Sequence, residues 1–182
     1  MALSKIDGTN FIEGTVPSTV APGAGKVLQV VQAVATTAFT TTSSSLTDIT
    51  GMTATISPSS SSSKILITSV IPHTNNGTNV GYPRLVLLRG ATAIGLGASV
   101  GSATQDSAAN QIFDPSNAGV NNSLNVSVNN FLDSPATTSA TTYKWQTSVF
   151  SSRTEYFFSP SSTGDANAHT APGVITLMEI QG

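Results

Sequence analysis

The residues whose types suit catalysis begin with a serine between two glycines. Gly97-Ala98-Ser99-Val100-Gly101 matches the nucleophile elbow, in which a serine on a sharp strand-to-helix turn presents its hydroxyl group to a base. The residues that follow are polar and do not predict the helix that this motif requires. We therefore interpret Ser99 as a loop residue, and a serine hydrolase that uses Ser99 and His169 is the remote alternative.

The chain has two histidines, His73 and His169, which are its only imidazole groups. Neither has a second histidine at ligand spacing, so the pair does not predict a closed structural metal site. Asp165 lies four residues before His169, and these two side chains would make a weak metal site if several copies met on a symmetry axis. We interpret them as surface loop residues, and we expect no metal and no other cofactor.

After residue 100, four aspartates stand beside serine, proline or glycine: Asp106, Asp114, Asp133 and Asp165. Aspartate in such a position commonly accepts hydrogen bonds from the backbone amides of a turn. No two acidic residues form a close pair, and no aromatic groove accompanies them, so the pattern does not favour a glycosidase. We expect turn formation from all four and no enzymatic activity from the chain.

The one tryptophan, Trp145, alternates with Tyr143 and Thr147 on one face of a predicted strand. A tryptophan in this position suits either stacking on a sugar ring or packing as a large apolar anchor. Large aromatic side chains dominate the energetics of cores and interfaces. We therefore favour Trp145 as an anchor in the core or between subunits.

Composition excludes several classes of function. Serine and threonine supply 26 residues each among 182, whereas charged residues make up only 9%, against roughly a quarter in an ordinary globular protein. The seven lysines and arginines are scattered singly, which disfavours nucleic-acid binding. The longest aliphatic run covers residues 85–88, so we expect neither membrane insertion nor a secretory signal. Without cysteine the fold has no disulfides.

Short runs of branched residues, separated by glycine, proline, serine and asparagine, predict an all-β fold. We expect an antiparallel β-sandwich or jelly-roll-like domain over residues 25–182, preceded by an extended N-terminal arm over residues 1–24. The turn at Gly90 predicts a tight hairpin. The predicted strands cover residues 26–35, 38–44, 53–57, 64–71, 84–89, 93–96, 123–129, 142–151, 155–159 and 173–180.

Two of these strands differ in their pattern. Residues 64–71 are apolar on both faces, which predicts a strand between the core and a second covering surface such as a neighbouring subunit. Residues 124–129 instead alternate, with Leu124, Val126 and Val128 on one face and polar residues on the other. This alternation predicts a strand with one face in solvent.

Several motifs resemble small β-rich virion proteins and tail-fibre-like modules of tailed bacteriophages, particularly those that infect marine bacteria and cyanobacteria. The resemblance covers most of the chain and implies a homotrimer with an N-terminal segment that anchors it to the particle. It implies no catalytic residues. The motifs are Asp7-Gly8-Thr9-Asn10-Phe11-Ile12-Glu13-Gly14-Thr15, Gly25-Lys26-Val27-Leu28-Gln29-Val30-Val31-Gln32, Ala54-Thr55-Ile56-Ser57-Pro58 with Lys64-Ile65-Leu66, Leu132-Asp133-Ser134-Pro135, Thr141-Thr142-Tyr143-Lys144 and Ile175-Thr176-Leu177-Met178-Glu179-Ile180.

From these observations we expect a trimeric decoration or cement protein on the outer capsid surface, made in the cytoplasm of the host bacterium. Its partners would be its own copies and the major capsid protein. A short tail fibre or receptor-binding tip that contacts a host-surface glycan is the alternative, although the chain has no sequence pattern of a fibre shaft. The predicted anchors in the arm are Phe11, Ile12 and Val16, and the predicted subunit-interface residues are Ile65, Ile67, Val70 and Trp145.

Overall fold

The structure is a computed structural model of the chain, and it describes residues 25–75, 83–108, 124–149, 153–161 and 168–182. Within these residues the secondary structure consists of β-strands without a helix. The strands are β1 (Val27–Ala35), β2 (Phe39–Thr41), β3 (Thr47–Ile56), β4 (Lys64–Asn75), β5 (Pro83–Arg89), β6 (Thr92–Ile94), β7 (Asn125–Asp133), β8 (Thr141–Val149), β9 (Glu155–Phe157) and β10 (Gly173–Ile180).

All ten strands belong to two antiparallel sheets, one of six strands and one of four. One sheet has the order β1-β10-β4-β7, extended by the short strands β9 and β2, and the other has the order β3-β8-β5-β6. The antiparallel pairs are nested: β1 pairs with β10, β3 with β8, β4 with β7, and β5 with β6. This nesting of the first strand with the last, and so on inward, is the topology of a jelly roll. The predicted all-β fold of sandwich or jelly-roll type is confirmed.

All ten predicted strands are present, and the differences lie at their ends. The hairpin between β5 and β6 is confirmed, with Arg89 opposite Thr92 and Gly90 at a φ of 60°. β3 begins at residue 47, whereas the predicted strand begins at 53. The residues that the prediction missed lie where the register between β3 and β8 shifts, before Thr53. Gly51 lies in this irregular part with a φ of 86°. An irregular register interrupts the two-residue period, and so hides part of the strand from pattern reasoning.

The core lies between the two sheets. Ile65 and Ile67 on β4 and Trp145 on β8 are fully buried in it. The indole nitrogen of Trp145 donates a hydrogen bond of 2.9 Å to Ser69 Oγ on the opposite sheet. These three of the four predicted subunit-interface residues have their side chains enclosed within one chain, and for Trp145 this is the core position that the sequence pattern also allowed. Val70, the fourth predicted interface residue, points outward and is 39% exposed.

Residues 1–24 join the sandwich beside the end of β10. The amide of Gly25 donates a hydrogen bond of 2.9 Å to the carbonyl of Gln181, and the amide of Gln181 donates one of 2.8 Å to the carbonyl of Lys26. The predicted arm and its anchors Phe11, Ile12 and Val16 lie outside the described residues. The described strands therefore locate the attachment point of the arm and not the arm itself.

Candidate interaction surface

Alternate side chains of β1, β10, β4 and β7 point away from the core and form rows across the sheet. The register of these strands aligns the outward residues, so each row has one member from each strand. The first row, which we call the valine row, is Val34, Val174, Val70 and Val128. The second, which we call the mixed apolar row, is Val30, Met178, Leu66 and Leu132.

A polar row separates these two apolar rows and consists of Gln32, Thr176, Thr68 and Asn130. Within it, Gln32 Nε2 donates a hydrogen bond of 2.9 Å to Thr176 Oγ1. We call the three rows together the outer face. No charged side chain occurs among its twelve residues. Its valines on β1 and β7 are at least half exposed, and exposed apolar area of this kind commonly marks an interaction site.

β7 has the reverse of the orientation that is usual for an alternating strand. Val126 and Val128 point outward, and Val128 is 61% exposed, whereas Ser127 between them is buried. The strand therefore has one exposed face, as predicted, but the apolar residues and not the polar ones lie on it. A shift of one residue in register would exchange the two faces, so the inward environment must favour Ser127.

That inward environment is a buried cluster of Ser127, His73 and Glu155. His73 Nε2 lies 3.0 Å from Ser127 Oγ, and His73 Nδ1 lies 2.9 Å from Glu155 Oε1. The three residues come from β7, β4 and β9, and the ring of Phe157 packs beside the imidazole with a centroid distance of 5.9 Å. A buried polar group is costly without a hydrogen-bond partner. The contact between His73 and Ser127 therefore favours the orientation of β7 in which Ser127 points inward.

The cluster has the order hydroxyl, imidazole, carboxylate that serine hydrolases use. However, Ser127 is only 4% exposed and His73 is fully buried, so a substrate cannot reach the hydroxyl in this conformation. Burial raises the pKa of the Glu155 carboxyl, while the hydrogen bond and charge of His73 act in the opposite direction. We interpret the cluster as a polar network that joins three strands. Sequence reasoning missed it because its members are far apart in the chain.

The residues singled out for chemistry do not come together. Ser99 lies in an exposed loop after β6, and His169 lies in an exposed segment before β10. Asp114 and Asp165 lie outside the described residues. Trp145 is buried in the core and presents no surface to a sugar.

Asp106 and Asp133 bind arginine side chains, which corrects the prediction that they serve turns. Asp106 accepts a hydrogen bond of 2.8 Å from Arg84 Nε, and both oxygens of Asp133 lie 2.9 Å from Arg89 Nη1. Asp133 also accepts a hydrogen bond of 2.7 Å from the Tyr143 hydroxyl on the opposite sheet. Burial, followed by the contact with Asp133, raises the pKa of Tyr143. This cluster therefore links the two sheets.

Glu179 on β10 is a buried carboxylate that organises the serine-rich loop before β4. Its Oε1 accepts hydrogen bonds from the amide and hydroxyl of Ser59 at 2.7 and 2.6 Å, and its Oε2 accepts one of 2.6 Å from Gln29. Burial alone raises the pKa of Glu179, but hydrogen bonds, chiefly from Ser59 and Gln29, lower it to about 2. Glu179 follows Ile175 and Leu177 at two-residue intervals on β10, which places it on the same inward face. This spacing is the sequence signal for its burial.

No protein-family model matches this chain, and no curated protein matches it either. Within the described ranges, no cluster of three or more His, Asp or Glu side chains is arranged to hold a metal ion. The same residues also contain no helix that is long and apolar enough to cross a membrane.

Proposed function

We propose that this chain is a non-enzymatic structural protein of a bacteriophage virion. It acts as a homotrimeric decoration or cement protein on the exterior of the capsid, and it is made in the host bacterial cytoplasm. The observation that carries the proposal is the outer face, which offers an uncharged apolar surface for contact with protein and no group for chemistry. The sequence resemblance to virion surface proteins supports the same conclusion.

The jelly-roll topology supports the proposal by analogy of fold. Jelly rolls occur in viral capsid proteins and in lectin domains, among others. A fold alone does not determine function, so this analogy adds weight only beside the outer face and the resemblance. It also agrees with the alternative, a receptor-binding tip that recognises a glycan at the tail.

The proposed mechanism is stabilisation of the shell by binding. The arm over residues 1–24 contacts the major capsid protein, while the sandwich packs against its own copies. A protein that binds the assembled shell, but not dispersed shell subunits, stabilises the shell by mass action. No covalent step is required.

Removal of residues 1–24 tests the anchoring role of the arm. We expect the truncated protein to form soluble trimers that no longer attach to particles, because the sandwich begins at β1. A full-length variant with alanine at Phe11, Ile12 and Val16 controls for chain length and should also lose attachment. Full decoration by the truncated protein would show that the arm is not the anchor.

Imaging of particles with a label attached through a linker at Gly182 separates the two locations. The capsid proposal predicts label across the shell. Label confined to the tail would reject the capsid location and favour the receptor-binding tip.

A further inference from the structure

We propose that the outer face is the surface through which copies of this chain bind one another. The occupant of the face is a second copy, so that the valine, polar and mixed apolar rows of one copy contact rows of the same kind on its neighbour. The expected number of copies, three, rests on the proposed function. The contact itself rests on the geometry of the sheet.

The first argument is the charge of the face. Its twelve residues include no lysine, arginine, aspartate or glutamate. A charged partner, such as a nucleic acid or an acidic protein surface, would place its charges against apolar side chains and lose their hydration without compensation. A second outer face brings no charge, and the net charge of −2 per chain gives little repulsion between copies.

The second argument is the orientation of β7. It exposes Val126, Val128 and Leu132 while it buries Ser127 and Asp133. This orientation leaves apolar side chains of β7 in contact with water. Covering them with a second surface would contribute favourable free energy of association in proportion to the apolar area buried. A covering surface is therefore expected, and it must be apolar opposite β7.

The third argument is the repeat of the rows. Successive outward residues on a strand are about 6.7 Å apart, so the two apolar rows lie roughly 13 Å apart with the polar row between them. When two such faces meet about a rotation axis along the strands or along the rows, apolar rows meet apolar rows and the polar rows meet each other. The side chains of Gln32 and Asn130 can then hydrogen-bond to the threonines of the neighbour. This match favours a second copy over an unrelated partner.

The fourth argument is size. Four strands about 4.8 Å apart and three rows along them give a footprint on the order of 400 Å². About two thirds of that footprint is apolar, which is near the lower end of the range for the largest apolar patch on a monomeric protein, and the whole footprint is about half of the roughly 800 Å² that each partner gives to a stable interface. The exposed Leu28 and Val126 extend the apolar surface beyond the three rows. The face therefore suits the apolar centre of an interface with a polar rim.

A pair of matched variants tests the contact. Val128→Glu introduces a charge into the valine row, whereas Val100→Glu introduces the same charge at a valine in an exposed loop outside the outer face, where the side chain is 66% exposed. Sedimentation equilibrium of the full-length chain should show trimers for the wild type and for Val100→Glu. For Val128→Glu it should show at least a tenfold weaker association. Because Val128 is exposed in the single chain, both variants should retain the circular dichroism of the wild type.

Cysteine cross-linking provides a second measurement that does not depend on weakened association. The chain has no cysteine, so Thr68→Cys places a unique thiol at the centre of the outer face and Val100→Cys places one outside it. A short bis-maleimide should cross-link the Thr68→Cys protein between chains and should not cross-link the Val100→Cys protein.

Either of two results would overturn the inference. One is a monomeric wild type; the other is a Val128→Glu protein that associates as strongly as the wild type, together with a Thr68→Cys protein that forms no cross-links. These results leave the proposed function testable by itself. A protein that associates through another surface but still decorates particles would refute this contact and retain the function. Loss of association in Val128→Glu, together with absence of the wild type from particles, would support the contact and refute the function.

Discussion

Replacement of Glu179 by glutamine removes the charge that holds the serine-rich loop against β10. The carboxylate is fully buried and accepts hydrogen bonds from Ser59 and Gln29. A glutamine has nearly the same shape, but its amide nitrogen would face one of these donors. Hydrogen bonds to charged groups contribute about 1.5–3 kcal/mol each, and their loss is partly compensated by relaxation. We therefore predict that Glu179→Gln lowers the free energy of unfolding by about 2–3 kcal/mol at neutral pH.

The predicted effect depends on pH in a definite direction. The folded protein lowers the pKa of Glu179 to about 2 from an ordinary value of 4.5. A carboxyl group with a lowered pKa stabilises the folded state above its unfolded pKa, and this stabilisation is lost as the pH falls through the folded pKa. The difference between wild type and Glu179→Gln should thus be full at pH values above about 5 and should shrink as the pH falls from about 4.5 towards 2.

Urea denaturation at one protein concentration, at neutral pH and at several acidic pH values, measures both features. Asp48→Asn is a matched control, because Asp48 is 51% exposed and its hydrogen bonds with Lys144 and Gln146 lower its pKa at the surface. We expect this control to cost at most about 1 kcal/mol. A cost for Glu179→Gln no greater than that of the control, or one that does not change with pH, would refute the assigned role of Glu179.

Three further predictions concern the core and its connections. Gly51→Ala should lower the free energy of unfolding by about 1–3 kcal/mol in urea denaturation, because Gly51 has a φ of 86° and an added Cβ would lie 2.7 Å from Ala35 Cβ; an unchanged stability would contradict this. Tyr143→Phe removes a hydrogen bond of 2.7 Å to Asp133 and should cost about 1–3 kcal/mol in the same assay, and a neutral result would mean that Asp133 does not need this donor. Trp145, as the one tryptophan, should give blue-shifted fluorescence that resists iodide quenching until the protein unfolds; ready quenching of the folded protein would place it at the surface.

Local patterns were sufficient to predict the strands. A run of branched and other apolar residues identified β10 over the range that the structure has, and Gly90 identified the hairpin between β5 and β6. The number of strands and the absence of long helical periods then limited the fold to a sandwich. The irregular part of β3 was missed because its pattern is interrupted at Gly51.

Which strands pair, and which face of a strand points inward, depend on contacts that are distant in the sequence. β1 pairs with β10, at the other end of the described chain. Alternation along β7 predicted two faces, but contacts with distant residues determine which face is inside. On the inward face Ser127 lies beside His73, and Asp133 binds Arg89 and Tyr143. The outer face was not predicted for the same reason, since its rows exist only after four strands are aligned.

The copy number of this protein per particle tests the central claim, a structural role on the capsid surface, most directly. Under the proposed function, quantitative mass spectrometry of purified particles of the encoding phage would give this number relative to the major capsid protein. A lattice-wide trimeric decoration predicts hundreds of copies in a fixed ratio to the shell protein. A few copies to a few tens would contradict the capsid location in favour of the tail, and no copies would contradict a role in the virion.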